Sequence, residues 1–174
     1  NFFIWKEIRN IYLFDHKNEI ELLNKLNEYT LYYYSDYHIC YNFIKGQAIT
    51  NEYFKNNIEE IIFQTKKFHN IELETKNLWY DLIPEWFDKL SNNLNFCNKT
   101  ELLNIYNKIN LQLKEIYDSK DIVLCHHDIH PGNTIKYKNK LTFIDLEFSY
   151  NNFYYVDLGN IITSLYSDYD NEIY

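Results

Sequence analysis

Runs of apolar residues separated by turn residues divide the chain into short strands and amphipathic helices. Aromatic and β-branched residues dominate positions 2–8, which predicts a strand, and apolar positions recur at helical spacing over 20–29. Asp15 precedes this helix and is its expected N-cap. A second strand is predicted over 37–44, and a Lys-Gly pair at 45–46 ends it. The chain is therefore predicted to open with a strand, a helix and another strand.

Two long helical patterns occupy the middle of the chain. Thr50 is the expected N-cap of a helix whose apolar positions run over 54–68. A second helix is predicted from Thr100 to residue 116, because its apolar residues recur every three or four positions. This part of the chain is thus predicted to be mostly helical. Core positions are expected for all three tryptophans, Trp5, Trp79 and Trp86.

The pattern changes after residue 121. A short apolar run over 122–125 predicts a buried strand, and a polar loop follows over 126–133. Two short strands are then predicted over 134–137 and 141–144, joined by a turn, before a last helix that begins near Asp157. The C-terminal part therefore carries a hairpin with polar residues at its ends.

The densest cluster of chemically competent residues lies in the loop after the first of these strands. His126, Asp128 and Asn133 follow the spacing H-x-D-x4-N, and Asp145 ends the hairpin that comes next. In metal-assisted phosphoryl transfer, one carboxylate orients the attacking hydroxyl, while an amide and a second carboxylate hold magnesium. An isolated Asp and Asn at this spacing would usually form a turn. The combination with the histidine and the second acid favours a phosphoryl-transfer site.

The amino-acid composition limits the classes of binding partner to be expected. Acidic residues outnumber basic ones, 25 to 17, and the formal net charge is −8. Nucleic acid is not an expected partner, because phosphate binding needs a clustered basic face. No apolar run approaches the roughly 20 residues of a membrane span, and the first residues lack the layout of a signal peptide. A cytoplasmic protein without membrane insertion is therefore expected.

Cysteine and methionine usage adds two expectations. The three cysteines have no short metal-type spacing and are expected to be reduced and buried. The chain contains no methionine, so we expect either a fragment of a longer protein or a sequence from which modified methionines are omitted.

The motif also carries a family resemblance. The loop 126–133 followed by Ile-Asp-Leu-Glu at 144–147 is similar to the aminoglycoside phosphotransferase and choline/ethanolamine kinase superfamily, and differs from the D-F-G triplet of protein kinases. Within that superfamily, the segment 144–160 most resembles choline/ethanolamine kinases. Residues 14–19 resemble the start of the family's N-lobe helix, and residues 41–46 resemble its hinge.

The resemblance implies an α+β, protein-kinase-like fold with two lobes. Residues 1–45 would form an incomplete N-lobe, and residues 46–174 a mostly helical C-lobe with the catalytic loop and hairpin. The resemblance implies that Asp128 is the base and that His126 and Asp157 brace the catalytic loop. It implies that Asn133 and Asp145 are magnesium ligands and that Glu147 and Tyr169 contact the substrate. The implied ATP-binding residues are Lys6, Glu19, Asn42 and Ile44.

The implied activity is ATP- and Mg²⁺-dependent transfer of the γ-phosphoryl group to the hydroxyl of an amino alcohol, choline or ethanolamine. An aminoglycoside- or thiamine-type phosphotransferase is the alternative within the superfamily, and a nucleotide-binding pseudokinase is the alternative from another class. A homodimer is left open. Outside the motif, His127 and His130 are interpreted as bystanders, and His69 as a capping or packing residue.

Overall fold

A small antiparallel sheet and one helix begin the fold in the computed structural model, which describes residues 2–8, 16–91, 99–116 and 119–166. The elements are β1 (Phe3–Glu7), α1 (His16–Lys25), β2 (Leu31–Tyr34) and β3 (His38–Asn42). The strand order in the sheet is β1-β3-β2. The predicted strands at both ends of this unit are confirmed, whereas β2 was not predicted. The expected N-cap Asp15 lies outside the described residues.

The register of this sheet decides which way the β1 side chains face. Lys6 lies opposite Ile39, which is fully buried, so both side chains face inward. Because side chains alternate along a strand, Trp5 must face outward, where it stacks on Tyr33 with ring centroids 5.8 Å apart. Trp5 is 55% exposed, and its expected core position is therefore wrong.

The helical part follows a short strand. Its elements are β4 (Gln47–Ala48), α2 (Asn51–Asn56), α3 (Ile58–His69), a π-helical turn (Leu78–Leu82), α4 (Ile83–Ser91) and α5 (Lys99–Ile116). The Thr50 hydroxyl caps α2 by accepting from the Tyr53 amide at 3.0 Å, as predicted. The single helix predicted after Thr50 is interrupted at Asn57, whose side chain donates to the Tyr53 carbonyl at 2.9 Å. That bond satisfies a carbonyl at the break.

The C-terminal part consists of two small sheets and a final helix. A strand pair, β5 (Ile122–Cys125) and β8 (Tyr150–Phe153), encloses the hairpin of β6 (Thr134–Tyr137) and β7 (Lys140–Phe143) in sequence, and α6 (Tyr155–Tyr166) follows. The hairpin also pairs with β4, in the order β4-β6-β7. The predicted β5, β6, β7 and α6 are confirmed within two residues, and β8 was not predicted.

One cluster of buried apolar side chains joins these parts. Leu22 and Ile39 come from the first sheet and its helix, Phe54 and Ile61 from α2 and α3, and Leu146 from the segment after β7. Burial of an apolar side chain of this size contributes roughly 1.5–3 kcal/mol. Because the cluster is continuous across residue 45, the predicted division into two lobes at that residue stays a prediction. None of the described helices is both long enough and apolar enough to cross a membrane.

Gly46 provides a test of the contact between the turn after β3 and the hairpin. Its φ is 133°, and a Cβ there would lie 2.5 Å from the Lys136 carbonyl oxygen. Gly46→Ala should lower the free energy of unfolding by about 1–3 kcal/mol. Gly159→Ala is the matched control, since a Cβ at Gly159 meets no atom within 4 Å and alanine favours a helix. Urea denaturation measures both, and unchanged stability of Gly46→Ala would contradict the described backbone.

Candidate active site

The loop between β5 and β6 is shaped by a short 3-10 turn over Pro131–Asn133. The His130 ring folds back and accepts from the Gly132 amide through Nδ1 at 3.1 Å. A Cβ at Gly132 would lie 2.9 Å from the His130 ring, so glycine allows this close approach of ring and backbone. The turn brings Asn133 back towards Asp128, and the Asn133 amide nitrogen donates to the Asp128 carboxylate at 2.7 Å. The two motif residues therefore lie side by side.

The Asp128 carboxylate is open to solvent and held in its ionised form. Its side chain is 40% exposed, and Oδ2 lies 3.6 Å from His130 Nε2. Contact with His130 lowers the pKa of Asp128 and outweighs the opposing effect of partial burial. The ring that the sequence interpretation treated as a bystander thus faces the candidate base. An ionised carboxylate at this position can accept the proton of an incoming hydroxyl group.

Lys6 joins the first sheet to the other half of the site. Its ammonium nitrogen lies 2.9 Å from Glu19 Oε1, 2.9 Å from Asp145 Oδ1 and 3.0 Å from Glu147 Oε2. Burial alone would lower the pKa of Lys6, but the carboxylates of Glu19 and Asp145 outweigh burial and raise it. Burial raises the pKa of Glu19, so that carboxylate depends on the neighbouring ammonium for its charge. One positive charge therefore faces three acidic groups.

Asp145 occupies a backbone conformation that is uncommon for a residue with a side chain. It follows β7 with φ 60° and ψ 66°, in the left-handed region. Such a residue costs of order 1–3 kcal/mol and persists only where its surroundings fix it. Here the preceding residue is held on both sides, because the Ile144 amide donates to the Asn133 carbonyl at 3.0 Å and the Ile144 carbonyl accepts from His126.

His126 connects the two halves of the site while remaining neutral. The ring is fully buried, which lowers its pKa. Nε2 lies 3.0 Å from the Ile144 carbonyl and therefore donates, which leaves Nδ1 to accept from the Asp128 amide at 3.3 Å. A single ring thus fixes both the loop that carries Asp128 and the strand end that carries Asp145. These bonds hold the two segments that carry the motif residues against each other.

Asp157 anchors the same loop from the beginning of α6. Its buried carboxylate accepts from the His126 amide at 2.9 Å through Oδ2 and from the His127 amide at 2.8 Å through Oδ1. His69 Nε2 lies 2.8 Å from the same Oδ2. Burial alone would raise the pKa of Asp157, but these hydrogen bonds lower it instead. The contact with His69 was missed, because the two residues lie far apart in the sequence.

His127 is a second residue whose role the sequence did not reveal. Its φ is 67°, and its ring donates through Nδ1 to the Phe148 carbonyl at 2.8 Å. Nε2 accepts from the Asn152 amide nitrogen at 3.0 Å, and Asn160 donates to the His127 carbonyl. Burial lowers the pKa of this ring as well. His127 is thus a brace of the catalytic loop, and the doubled histidine was the available sequence signal.

The remaining predicted site residues are placed as follows. The Asn42 side chain donates to the Glu28 carbonyl at 3.0 Å and accepts from the Thr30 amide, so it braces the end of β3. Ile44 is partly buried against the main apolar cluster. Their roles in ATP binding stay predictions. Tyr169 lies outside the described residues.

The donor set of the site suits a hard divalent cation. Magnesium prefers carboxylate and amide oxygens and usually keeps several waters. Asp145 offers a carboxylate that is 42% exposed, and Asn133 offers its amide oxygen because its nitrogen is engaged by Asp128. The acidic groups around Lys6 exceed its charge by about two, which a divalent ion would balance. The residues present therefore fit magnesium.

The two buried histidines, His126 and His127, predict a pH dependence of stability. Their folded-state pKa values lie below the ordinary 6.5, so the unfolded chain binds protons that the native chain excludes. The contribution of these neutral histidines to the free energy of unfolding should therefore be complete above pH 6.5. It should decrease as the pH falls, by up to about 1.4 kcal/mol per pH unit for each histidine. Urea unfolding between pH 7.5 and 5.5 measures this slope, and His127→Gln should roughly halve it. A variant with the wild-type slope would contradict the assignment.

Comparison with known proteins identifies relatives of the chain. Protein LicA of Haemophilus influenzae is 28% identical over 109 residues, which cover 60% of this chain and 32% of LicA. Probable choline kinase 3 of Arabidopsis thaliana is 30% identical over 111 residues, which cover 60% of this chain and 32% of that protein. The matched residues thus span about a third of the length of these two relatives.

The fold is shared with a solved kinase. Plasmodium vivax ethanolamine kinase superposes with a TM-score of 0.78 at 18% identity, over 97% of this chain and 56% of that one. This likeness confirms the predicted α+β, protein-kinase-like fold. The family model described as choline/ethanolamine kinase matches residues 7–174. The chain therefore belongs to the choline/ethanolamine kinase family.

Proposed function

We propose that the protein transfers the γ-phosphoryl group of ATP to the hydroxyl of choline or ethanolamine, in the presence of magnesium and in the cytoplasm. One observation carries the proposal. The ionised, exposed carboxylate of Asp128 lies beside Asn133, and His126 ties their loop to the strand end that presents Asp145 and the Lys6 ion-pair cluster. Phosphoryl transfer needs a base, a metal-binding pair and a cation for phosphate in one cleft.

The roles of the residues follow from their chemistry. Asp128 orients the acceptor hydroxyl and accepts its proton as the bond to phosphorus forms. Lys6 is the cation for the phosphate oxygens of ATP, and Glu19 holds its ammonium in place. Asn133 and Asp145 are the magnesium ligands, and magnesium supplies neutralisation of the phosphate charge. Most of the rate would come from positioning and electrostatics.

Nucleotide and acceptor contacts complete the proposal. The backbone around Asn42 and Ile44 would meet adenine, consistent with the Asn42 side chain being used to brace β3. Glu147 lies at the edge of the charge cluster with 26% of its side chain exposed. It would contact a second metal ion or the cationic end of the amino alcohol, and Tyr169 is a further proposed contact. An anionic acceptor is disfavoured by the local excess of carboxylates.

Two alternatives are separated by the same assay. An aminoglycoside- or thiamine-type phosphotransferase would use the same loop with a different acceptor pocket. A pseudokinase would bind nucleotide without turnover, and the intact set of Asp128, Asn133 and Asp145 argues against it.

A coupled ADP-release screen of the full-length protein tests the proposal. Choline, ethanolamine, thiamine and an aminoglycoside are offered as acceptors with ATP and magnesium. We expect acceptor-dependent ADP release with choline or ethanolamine and no release above background with the other two. Turnover confined to thiamine or the aminoglycoside would move the protein to that class. Nucleotide binding without turnover on any acceptor would support the pseudokinase.

Two substitutions separate the base from the metal-binding residue. Asp128→Ala should lower kcat by about 10²–10⁴-fold while ATP binding survives, because the base acts only on the acceptor. Asp145→Ala should weaken magnesium-dependent ATP affinity by about tenfold or more, because a metal ligand is lost. Titration of ATP with and without magnesium, beside the steady-state assay, measures both. Wild-type turnover by Asp128→Ala, or an unchanged magnesium titration for Asp145→Ala, would refute the respective role.

A further inference from the structure

We propose that His69 is a positioning residue for the reaction, acting through Asp157 on the catalytic loop; this inference rests on the proposed function. His69 is the last residue of α3, and its Nε2 lies 2.8 Å from Asp157 Oδ2. The same oxygen accepts the His126 amide, and the other carboxylate oxygen accepts the His127 amide. Asp157 is therefore the junction between α3, α6 and the loop that presents Asp128.

The loop conformation needs such a junction. His127, immediately before the candidate base, has a φ of 67°, a backbone conformation that is uncommon for a residue with a side chain and that its surroundings must stabilise. The consecutive amides of His126 and His127 both point to the Asp157 carboxylate. A rotation of that carboxylate would release one or both amides. The side chain of Asp128 would then move with the loop backbone.

His69 fixes the rotation of the carboxylate. Asp157 is fully buried, and a buried carboxylate is stable only when hydrogen-bond donors surround its oxygens. Two backbone amides come from the loop itself, so they cannot define the carboxylate independently of the loop. The imidazole N–H comes from a different element, at the end of a 12-residue helix that packs against β5. The His69 N–H thus holds the Asp157 carboxylate from an element outside the loop.

A metal centre is the competing interpretation of the same residues. The ligand atoms of His69, Cys125 and Asp157 all lie within 4.8 Å of one another. However, burial raises the pKa of the Cys125 thiol, so the sulfur stays protonated, and Sγ donates to the Phe153 carbonyl at 3.3 Å. The Asp157 oxygens are already engaged by three N–H groups. The contacts therefore favour a hydrogen-bonded junction over a metal site.

Three variants of the full-length protein test the inference. His69→Leu removes the N–H donor, and His69→Gln restores a donor at nearly the same distance from the backbone. Thr65→Ala is the matched control, because Thr65 lies one turn earlier in α3 and its buried hydroxyl donates to the Ile61 carbonyl within the same helix. Thermal unfolding of all variants identifies a temperature at which each is folded, and metal content is measured on each.

We expect His69→Leu to lower kcat by about 10–100-fold with the KM for ATP changed less than about twofold, because the base is displaced while the nucleotide site is kept. His69→Gln should recover most of kcat, and Thr65→Ala should keep it. Amide hydrogen exchange over residues 126–133 should rise in His69→Leu alone.

The outcomes separate this inference from the proposed function. Wild-type kcat in His69→Leu, or a glutamine variant no better than leucine, would overturn the positioning role while leaving the kinase assignment intact. A stoichiometric metal lost on substitution of His69 would replace the junction by a metal centre. If the wild-type protein turns over no acceptor, the proposed function fails, and the exchange of residues 126–133 alone decides whether His69 holds the loop.

Discussion

The Lys6 ammonium is the interaction on which the site depends. It is the point at which β1 and α1, through Glu19, meet the segment after β7, through Asp145 and Glu147. Removing one partner of a buried ion pair typically costs about 3–5 kcal/mol, because the remaining charge is left without compensation. The sheet register places Lys6 on the inner face, opposite the buried Ile39, and Trp5 on the outer face. One side chain therefore links the first sheet and its helix to the segment that carries Asp145.

Hydrogen bonds to buried polar groups hold the backbone of the catalytic loop. Two residues of the site, His127 and Asp145, have left-handed backbones, which together cost of order several kcal/mol. The compensation comes from ring nitrogens and carboxylate oxygens with fixed partners, each contributing roughly 0.5–1.5 kcal/mol and more where a charge is involved. Polar groups that are satisfied in this arrangement favour it over others and restrict the loop. Rigidity of this kind is what positioning catalysis requires.

The sequence predicted the parts of the fold whose signal is local. The apolar run of β5 and the motif that follows it are contiguous, and the Thr50 cap acts within three residues, so both could be identified from neighbouring positions. β8 could not, because its strand sequence Tyr-Asn-Asn-Phe is polar in the middle and pairs with β5 from 25 or more residues away. Its asparagines serve side-chain hydrogen bonds to His127 and to the segment before the π-helical turn.

The same reasoning explains what was missed in the site. Asp128, Asn133 and Asp145 were identified as candidate site residues because the spacing of the motif is itself informative. The partner of Asp157 was not, because His69 lies 88 residues earlier and carries no spacing relation to the motif. Glu19 and Lys6 were found through resemblance to a family, since a lysine and a glutamate 13 residues apart are otherwise common on solvated surfaces. Long-range polar contacts leave no periodic pattern in the sequence.

In this site, the residues that provide charge differ from the residue that holds the charged groups in place. The Lys6 cluster and the Asp128 carboxylate are both charged, but the ring that connects their two segments, His126, is neutral because it is buried. A protonated ring at this place would have a donor on Nδ1 and would lose the bond from the Asp128 amide. It would also bring a positive charge close to the candidate base and weaken it as a proton acceptor. A neutral histidine holds the loop of the base at a fixed position relative to the hairpin without adding charge to either segment. This explains why a fully buried ring lies at the centre of a polar site.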